Sequence, residues 1–289
     1  MTPSLDRNPN LAVAATYHRE VVASLERVWE NVFDWEHLPW LHSSTFRGIE
    51  RLAEDAWGWR ARVVLARGGD AEIELVADRA TGRYVARTLS GIGTGTEIWT
   101  RLEPKLDGAV AVSIDFCVGP LPNAARESIG RGYVEMYTRL WDEDEGMIRQ
   151  REGALVRRRE SSRRGDAAVA EVFLGVEAEL RARLPIEFEL GSERFRLVEE
   201  AGELVARAAE CPHRLGPLAP CPDLEGELVC PWHGYRFDAS DGRELAGRKL
   251  RLARAPRLSR DPATGCITAR AASPVEQSSH PARAGIEER

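Results

Sequence analysis

Between residues 46 and 118, apolar and polar side chains alternate with a period of two. The clearest runs are AEIELVA, RYVARTL, TEIWTRL and AVAVSIDF, and short breaks containing Gly or Asp separate them. Alternation of this kind is typical of strands with one buried face, and such breaks are typical of hairpin turns. The pattern predicts an antiparallel meander of about five or six strands.

Other elements are predicted on both sides of this meander. A strand is expected at residues 15–23, and Ser24 then suits the N-cap of a helix over LERVWENVFDW. Pro39 is expected to end or kink that helix. A longer helical pattern runs from about residue 124 to 159. Its apolar stripe consists of Ile129, Tyr133, Met136, Tyr137, Leu140, Trp141, Met147, Ile148 and Leu155.

The second half of the chain predicts a further helix at about residues 167–183, followed by short strands. We therefore divide the chain into an N-terminal domain (11–160), a helical linker (161–184), a small all-β domain (185–270) and a disordered tail (271–289). The fold class is α+β. The order of the N-terminal elements resembles the helix-grip fold of START-like domains, in which a curved antiparallel sheet wraps a long C-terminal helix and leaves a cavity.

Composition narrows the function. The chain has 289 residues, 43% hydrophobic and 30% charged, which is typical of globular proteins. Its net charge of -6 argues against nucleic acid or an anionic membrane surface as partner. No stretch approaches the roughly 20 apolar residues that span a bilayer, and no signal pattern begins the chain, so we expect a cytoplasmic protein. In a reducing compartment, the five cysteines and clustered histidines favour metal binding over disulfides.

Two Cys-His pairs stand in the second domain. CPHRLGPL begins at Cys211 and CPWHGYRFD at Cys230, which gives C-x-H, sixteen residues and C-x-x-H. Two cysteines and two histidines could bind zinc, although zinc fingers usually group the cysteines before the histidines. One of each per loop fits a Rieske [2Fe-2S] cluster instead. We assign Cys211 and Cys230 to one iron, and His213 and His233 to the other.

The residues around these pairs also resemble the Rieske family. The resemblance includes Pro212, Gly216, Pro231, Gly234 and Phe237. High-potential Rieske proteins carry a disulfide beside the cluster, but Gly216 and Trp232 stand at those places here. This resemblance implies the lower-potential kind of cluster found in oxygenases and their ferredoxins.

A second candidate site lies in FDWEHLPWLH, where Asp34, His37 and His42 have the spacing D-x-x-H-x-x-x-x-H. Two histidines and one carboxylate form the set that binds non-haem Fe(II) and leaves positions open for O₂. The acidic run WDEDEG on the long helix is the best source of the carboxylate. When angles around the helix axis are measured from Leu140, the mean direction of the apolar stripe lies at about +27° and Asp144 lies at about +40°. The other three acids of the run lie in other directions.

These motifs resemble the Rieske non-haem iron oxygenases. The resemblance implies that His37, His42 and Asp144 bind mononuclear Fe(II), and that Asp34 carries electrons from His233 to His37. It also implies an NAD(P)H-dependent reductase or ferredoxin as electron donor, O₂, a hydrophobic small-molecule substrate, and a homo-oligomer such as a trimer. In that family the Rieske domain comes first and electrons cross between subunits. The order is reversed here, so the sequence leaves open whether this transfer occurs within or between chains.

A second hypothesis is not an enzyme. A START-like binder of hydrophobic ligands would be fused to a Rieske electron carrier, without mononuclear iron. His37 and His42 would then be ordinary histidines at a helix end, and Asp144 would pair with Arg151, which falls on the same apolar stripe. Zinc in either place is a third interpretation.

Overall fold

The computed structural model describes residues 3–165, 170–220 and 224–272. The chain divides into two compact units, Met1–Val156 with His213–Arg236, and Arg157–Pro212 with Phe237–Arg289. This division differs from the predicted boundary near residue 185, because the segment His213–Arg236 packs with the N-terminal unit. None of the described helices is long and apolar enough to cross a membrane.

The first unit contains a seven-stranded antiparallel sheet in the order β1-β7-β6-β5-β4-β3-β2. Its strands are β1 (Ala12–Val21), β2 (Phe46–Asp55), β3 (Gly58–Leu65), β4 (Asp70–Asp78), β5 (Arg83–Gly91), β6 (Glu97–Pro104) and β7 (Val110–Val118). Strands β2 to β7 are the predicted meander, in which each strand pairs with the next. Strand β1 pairs with β7 and forms one end of the strand order.

Helix α1 (Leu25–Phe33) follows β1 and packs its apolar face into the core. The Ser24 side chain accepts a hydrogen bond from the Arg27 amide at 3.4 Å, so the predicted N-cap is confirmed. Trp59 Nε1 on β3 donates to the Val32 carbonyl at 3.1 Å. This bond ties the end of α1 to the sheet, immediately before the segment that carries the candidate site.

Helix α3 (Asn123–Arg164) is the predicted long helix, slightly extended at both ends. Tyr133 stacks on Phe116 of β7 with ring centroids 5.1 Å apart, and Trp141 and Ile148 are buried in the same core. At Gly130, an added Cβ would lie 2.4 Å from the Ala14 carbonyl oxygen. Only glycine therefore allows the helix backbone to approach β1 so closely.

Short strands make up the rest of the fold. They are β8 (Glu171–Val176), β9 (Ile186–Leu190), β10 (Glu193–Glu200), β11 (Glu203–Ala208), β12 (Ala219–Pro220), β13 (Glu227–Val229), β14 (Arg236–Asp238), β15 (Arg257–Arg260) and β16 (Cys266–Arg270), with helix α4 (Glu177–Arg181). They form three three-stranded sheets, β11-β10-β9, β12-β13-β14 and β15-β16-β8. In the second unit Leu180, Leu197 and Ile267 form a separate hydrophobic core.

The predicted helix at residues 167–183, and with it the helical linker 161–184, is wrong for most of its length. Residues Glu171–Val176 are strand β8, and only Glu177–Arg181 are helical. The segment is rich in Glu, Ala, Leu and Arg, which favour helix, but β8 pairs with β16 and completes a sheet. Tertiary pairing therefore overrides local propensity. Residues 166–169, and the predicted tail from 273 onward, lie outside the described residues.

Candidate metal centres

The chain between Phe33 and His42 folds into three short pieces. Helix α1 ends at Phe33, the residues Trp35–His37 form one 3-10 turn, and Leu38–Leu41 form helix α2. The break therefore comes at Asp34, whose backbone is non-helical, and not at Pro39 as predicted. Pro39 lies in the first turn of α2, where its missing N–H costs no hydrogen bond.

This path brings two histidines together inside the protein. His37 is 4% exposed and His42 is 1% exposed, and their ring centroids lie 5.0 Å apart. The Nε2 atoms of His37 and His42 lie 3.4 Å and 3.1 Å from Asp144 Oδ1 on α3. Of the four acids in its run, Asp144 alone is buried, which agrees with the direction calculated from the sequence.

The geometry and donor types fit a metal ion. Ligand atoms at about 2.1 Å from one ion and at right angles to each other lie about 3 Å apart, close to the distances between Asp144 and the two histidines. The ligand atoms of His37, His42 and Asp144 all lie within 4.8 Å of one another. Two imidazoles and one carboxylate are the set that suits non-haem Fe(II).

Two neighbours orient these ligands, and the sequence analysis missed both. Asn31 Nδ2 donates to Asp144 Oδ1 at 2.9 Å, and His42 Nδ1 lies 2.6 Å from Glu143 Oε2. A proton on Nδ1 of His42, facing Glu143, leaves the lone pair of Nε2 directed at Asp144. Asn31 lies on α1 and reaches Asp144 across 113 residues, so no local spacing in the sequence could have identified it.

The charges in this centre are strongly coupled. Burial alone would raise the pKa of Asp144, but the adjacent His42 and His37 hold that pKa well below its ordinary value. Burial opposes charge on His42 as well, yet Asp144 and Glu143 raise the pKa of His42 above its ordinary value. The centre therefore holds an ionised carboxylate in the interior beside two imidazoles, an arrangement that suits a bound cation.

Arg151, the predicted partner of Asp144 in the second hypothesis, forms an ion pair with Glu30 instead. Arg151 Nε lies 2.7 Å from Glu30 Oε2, and Glu30 also pairs with Arg27 at 2.5 Å. The prediction of an Asp144–Arg151 pair, which belonged to the non-enzymatic hypothesis, is therefore wrong. The carboxylate of Asp144 faces the two histidines instead.

Three of the four predicted cluster ligands are buried, and the fourth, His213, is partly exposed. Cys211 and Cys230 are both 0% exposed and form no disulfide within the part of the chain that the structure describes. The rings of His213 and His233 have centroids 4.6 Å apart, and Nδ1 of His213 is buried without a hydrogen-bond partner. The His233 side chain interacts with that of Cys230. A buried nitrogen without a partner is costly, so the orphaned Nδ1 of His213 and the His233–Cys230 interaction fit metal ligation by these residues.

Gly216 and Trp232 lie side by side next to one of these cysteines. A Cβ added at Gly216 would lie 2.8 Å from the Trp232 ring and 2.9 Å from Cys230 Sγ. Gly216 and Trp232, which stand at the two disulfide positions of high-potential Rieske proteins, are thus neighbours in space. The indole of Trp232 occupies the space beside Gly216.

Asp34 lies between His233 and His37. His233 Nε2 donates to Asp34 Oδ2 at 2.8 Å, while Asp34 Oδ1 lies 4.0 Å from His37 Nδ1. Arg214 Nε lies 3.1 Å from the same Oδ2. Burial favours the neutral acid, but the His233 hydrogen bond and the charges of His37 and Arg214 lower the pKa of Asp34 to about 2. Asp34 is therefore an anion held between two imidazoles.

Comparison with known proteins gives partial matches. Residues 170–252 match the family model of the Rieske [2Fe-2S] domain. A stretch of 56 residues is 41% identical to Apoptosis-inducing factor 3 of Mus musculus and of Homo sapiens. It covers 19% of this chain and 9% of each of those proteins, so the chain spans a small part of these relatives.

Solved structures similar to the N-terminal part include a START superfamily protein from Mycobacterium smegmatis, at 20% identity and a TM-score of 0.39, covering 47% of this chain and 97% of that one. The Zhui aromatase/cyclase from Streptomyces sp. R1128 matches at 16% identity and a TM-score of 0.40, covering 47% of this chain and 93% of that one. The chain thus carries a Rieske [2Fe-2S] domain at residues 170–252, which follows an N-terminal antiparallel sheet with a long helix.

Proposed function

We propose that this protein is a Rieske oxygenase, in which a [2Fe-2S] cluster supplies electrons to a mononuclear non-haem iron that uses O₂ to oxidise an apolar small molecule. One observation carries the proposal. The side chains of His37, His42 and Asp144 converge in the interior, and Asp34 connects this group to His233. A ligand-binding fold joined to an electron carrier would not need this convergence.

The residues have separate tasks in this proposal. Cys211 and Cys230 hold one iron of the cluster, and His213 and His233 hold the other through Nδ1. His37, His42 and Asp144 hold the mononuclear iron. When bound there, Fe(II) supplies O₂ chemistry at the positions that protein ligands leave open.

The protein environment prepares this second centre for its metal. Glu143 keeps the proton of His42 on Nδ1, and Asn31 fixes the Asp144 carboxylate by a hydrogen bond. Both ligands are thereby held in the orientation that directs Nε2 and Oδ1 to a common point. Burial of the three ligands excludes bulk water from that point.

The surroundings of Asp144 favour an apolar or aromatic substrate. Burial, and to a smaller extent the charge of Asp144, raises the pKa of Tyr84 and Tyr137, and both rings belong to the hydrophobic core. Phe116 packs edge-on to Tyr137 with ring centroids 4.9 Å apart. Hydroxylation, dihydroxylation and dealkylation are all reactions that this arrangement allows. The electrons come from an NAD(P)H-dependent reductase or a ferredoxin.

Counting iron tests the proposal. Anaerobically prepared protein should hold about three iron atoms per chain, two in the cluster and one at the second centre. The His37→Ala variant should lose one iron and keep the Rieske absorption and EPR spectra. His18→Ala, which changes an exposed histidine on β1, is the matched control and should keep all three. Two irons in the unaltered protein would make it an electron carrier joined to a ligand-binding fold.

Activity is the second test. Oxygen uptake, measured with a generic reductase and a panel of apolar aromatic compounds, should require both the cluster and His37. Uptake that persists in His37→Ala would contradict the assignment of the second centre.

A further inference from the structure

Residues 34–40 contact Arg214 and residues 233–235, which lie in the segment His213–Arg236 of the same chain. We call these two stretches the bridge segment and the cluster loop. The contacts are Asp34 with His233, Asp34 with Arg214, Glu36 with Tyr235, and Trp40 with Gly234. They involve residues at both ends of the bridge segment, so this segment is held against the cluster loop at both ends.

The central contact is buried. Asp34 is 6% exposed and His233 is 3% exposed, and the hydrogen bond between them measures 2.8 Å. Arg214 adds a cation 3.1 Å from the same carboxylate oxygen. Oδ2 of Asp34 is thus occupied by two groups of its own chain.

Two flanking contacts hold this arrangement in place. Tyr235 Oη donates to Glu36 Oε2 at 2.6 Å. Gly234 has a φ of 64°, and an added Cβ would lie 2.1 Å from the Trp40 ring, so the indole rests directly against the glycine backbone. A one-residue shift of either stretch would break both contacts together with the central one.

We propose that electrons pass from the cluster to the mononuclear iron within a single chain, so that one monomer contains the complete path. This inference rests on the proposed function and answers the question left open by the reversed domain order. The His233 of another subunit would have to displace the chain's own His233 from Asp34. The resident histidine is tethered, and a tethered partner acts at an effective concentration of roughly millimolar or more. A ring of subunits is therefore not required for the transfer.

The electron count is simple. An external reductase or ferredoxin first reduces the cluster by one electron. Transfer of that electron through His233, Asp34 and His37 oxidises the cluster to its resting state and reduces a ferric ion at the second centre to the ferrous state. No bond between heavy atoms forms or breaks in this step.

Paired variants test whether the path lies within one chain. A Cys230→Ser chain, which lacks the cluster, and a His37→Ala chain, which lacks the second iron, are given different tags and co-expressed. Cluster reoxidation is followed optically after photoreduction, with ferric iron loaded beforehand. The unaltered protein should reoxidise its cluster in a first-order step that does not depend on protein concentration. Assemblies that carry both tags should not reoxidise their cluster. If the two chains do not assemble, a mixture of them should likewise show no reoxidation.

Reoxidation in the mixed material would overturn the inference. His213→Ala serves as a second cluster-free chain, so that the test does not depend on the folding of Cys230→Ser. Light scattering on the same samples gives the mass, and full transfer in a monomeric fraction is the expected result. Transfer that occurs only in an oligomeric fraction would also overturn it.

A further measurement separates this inference from the proposed function. In the His37→Ala background, which has no mononuclear iron, Asp34→Asn should raise the reduction potential of the cluster in the monomeric fraction, because a negative charge next to His233 is lost. Asp142→Asn, on an exposed acid of α3, is the control and should leave the potential unchanged. An unchanged potential in Asp34→Asn overturns the contact within the chain, whatever the iron count. A third iron missing from the unaltered protein overturns the proposed function and the transfer step with it, but leaves the contact between Asp34 and His233 within one chain standing.

Discussion

Replacing Gly234 with alanine tests the contact between the cluster loop and the bridge segment. Gly234 is in the left-handed region, and its missing Cβ leaves the space that the Trp40 ring occupies. Alanine in this backbone conformation costs about 1–2 kcal/mol. The added methyl group would also lie 2.1 Å from the ring, well inside the 3.5–4.0 Å of an ordinary carbon contact, so the ring has to leave.

The second part of the cost follows from the burial of Trp40. The residue is 51% exposed, so roughly half of its side chain, or about 100 Å², is buried. At about 25 cal/mol per Å², expelling the ring costs up to about 2.5 kcal/mol. Gly234→Ala should therefore destabilise by about 3.5–4.5 kcal/mol, and Trp40→Ala by about 2.5 kcal/mol. The double variant loses the packing of Trp40 only once. Its destabilisation should therefore be about 2.5 kcal/mol less than the sum of the destabilisations of the two single variants.

Thermal unfolding of the iron-loaded protein under anaerobic conditions is the assay. One kcal/mol corresponds to a shift of about 2–4 °C for a domain of 150–250 residues. Gly226→Ala is the matched control, because Gly226 also has a positive φ but an added Cβ there meets nothing within 4 Å. It should show only the backbone cost. The reasoning is refuted if Gly234→Ala and Gly226→Ala shift the midpoint equally, or if Gly234→Ala costs as much in a Trp40→Ala background as in the unaltered chain.

Three other outcomes are expected. Glu143→Gln weakens the partner of His42 and should reduce iron affinity at the second centre by about 10–100-fold in a chelator titration, whereas a change at the adjacent exposed Asp142 should not. Gly216→Ala puts a methyl group 2.9 Å from Cys230 Sγ and should lower the yield of cluster per chain, measured by labile sulfide, while Gly132→Ala on α3 should leave it unchanged. Fe(II) added to cluster-loaded protein at a hundredfold excess over its Kd should stabilise the fold by about 2.7 kcal/mol, an effect that should vanish in His37→Ala.

The sequence alone was sufficient for features that depend on local spacing. Alternation with a period of two predicted the strands β2 to β7, since neighbouring strands joined by short turns pair with each other. Helical phase predicted which acid of the run on α3 is buried, because that direction depends only on counting residues along one helix. The Cys-x-His and Cys-x-x-His spacings predicted the Rieske domain for a similar reason, since each loop carries its own pair.

Other features were decided only by the tertiary structure. Local composition favoured a helix where β8 lies, and its pairing with the distant strand β16 determined the outcome. Glu143 meets His42 across 101 residues, and His233 meets Asp34 across 199. No periodicity links such distant positions. Their contact depends on how the whole chain packs, which is the sum of many weak burial and hydrogen-bonding terms and cannot be read from any one segment.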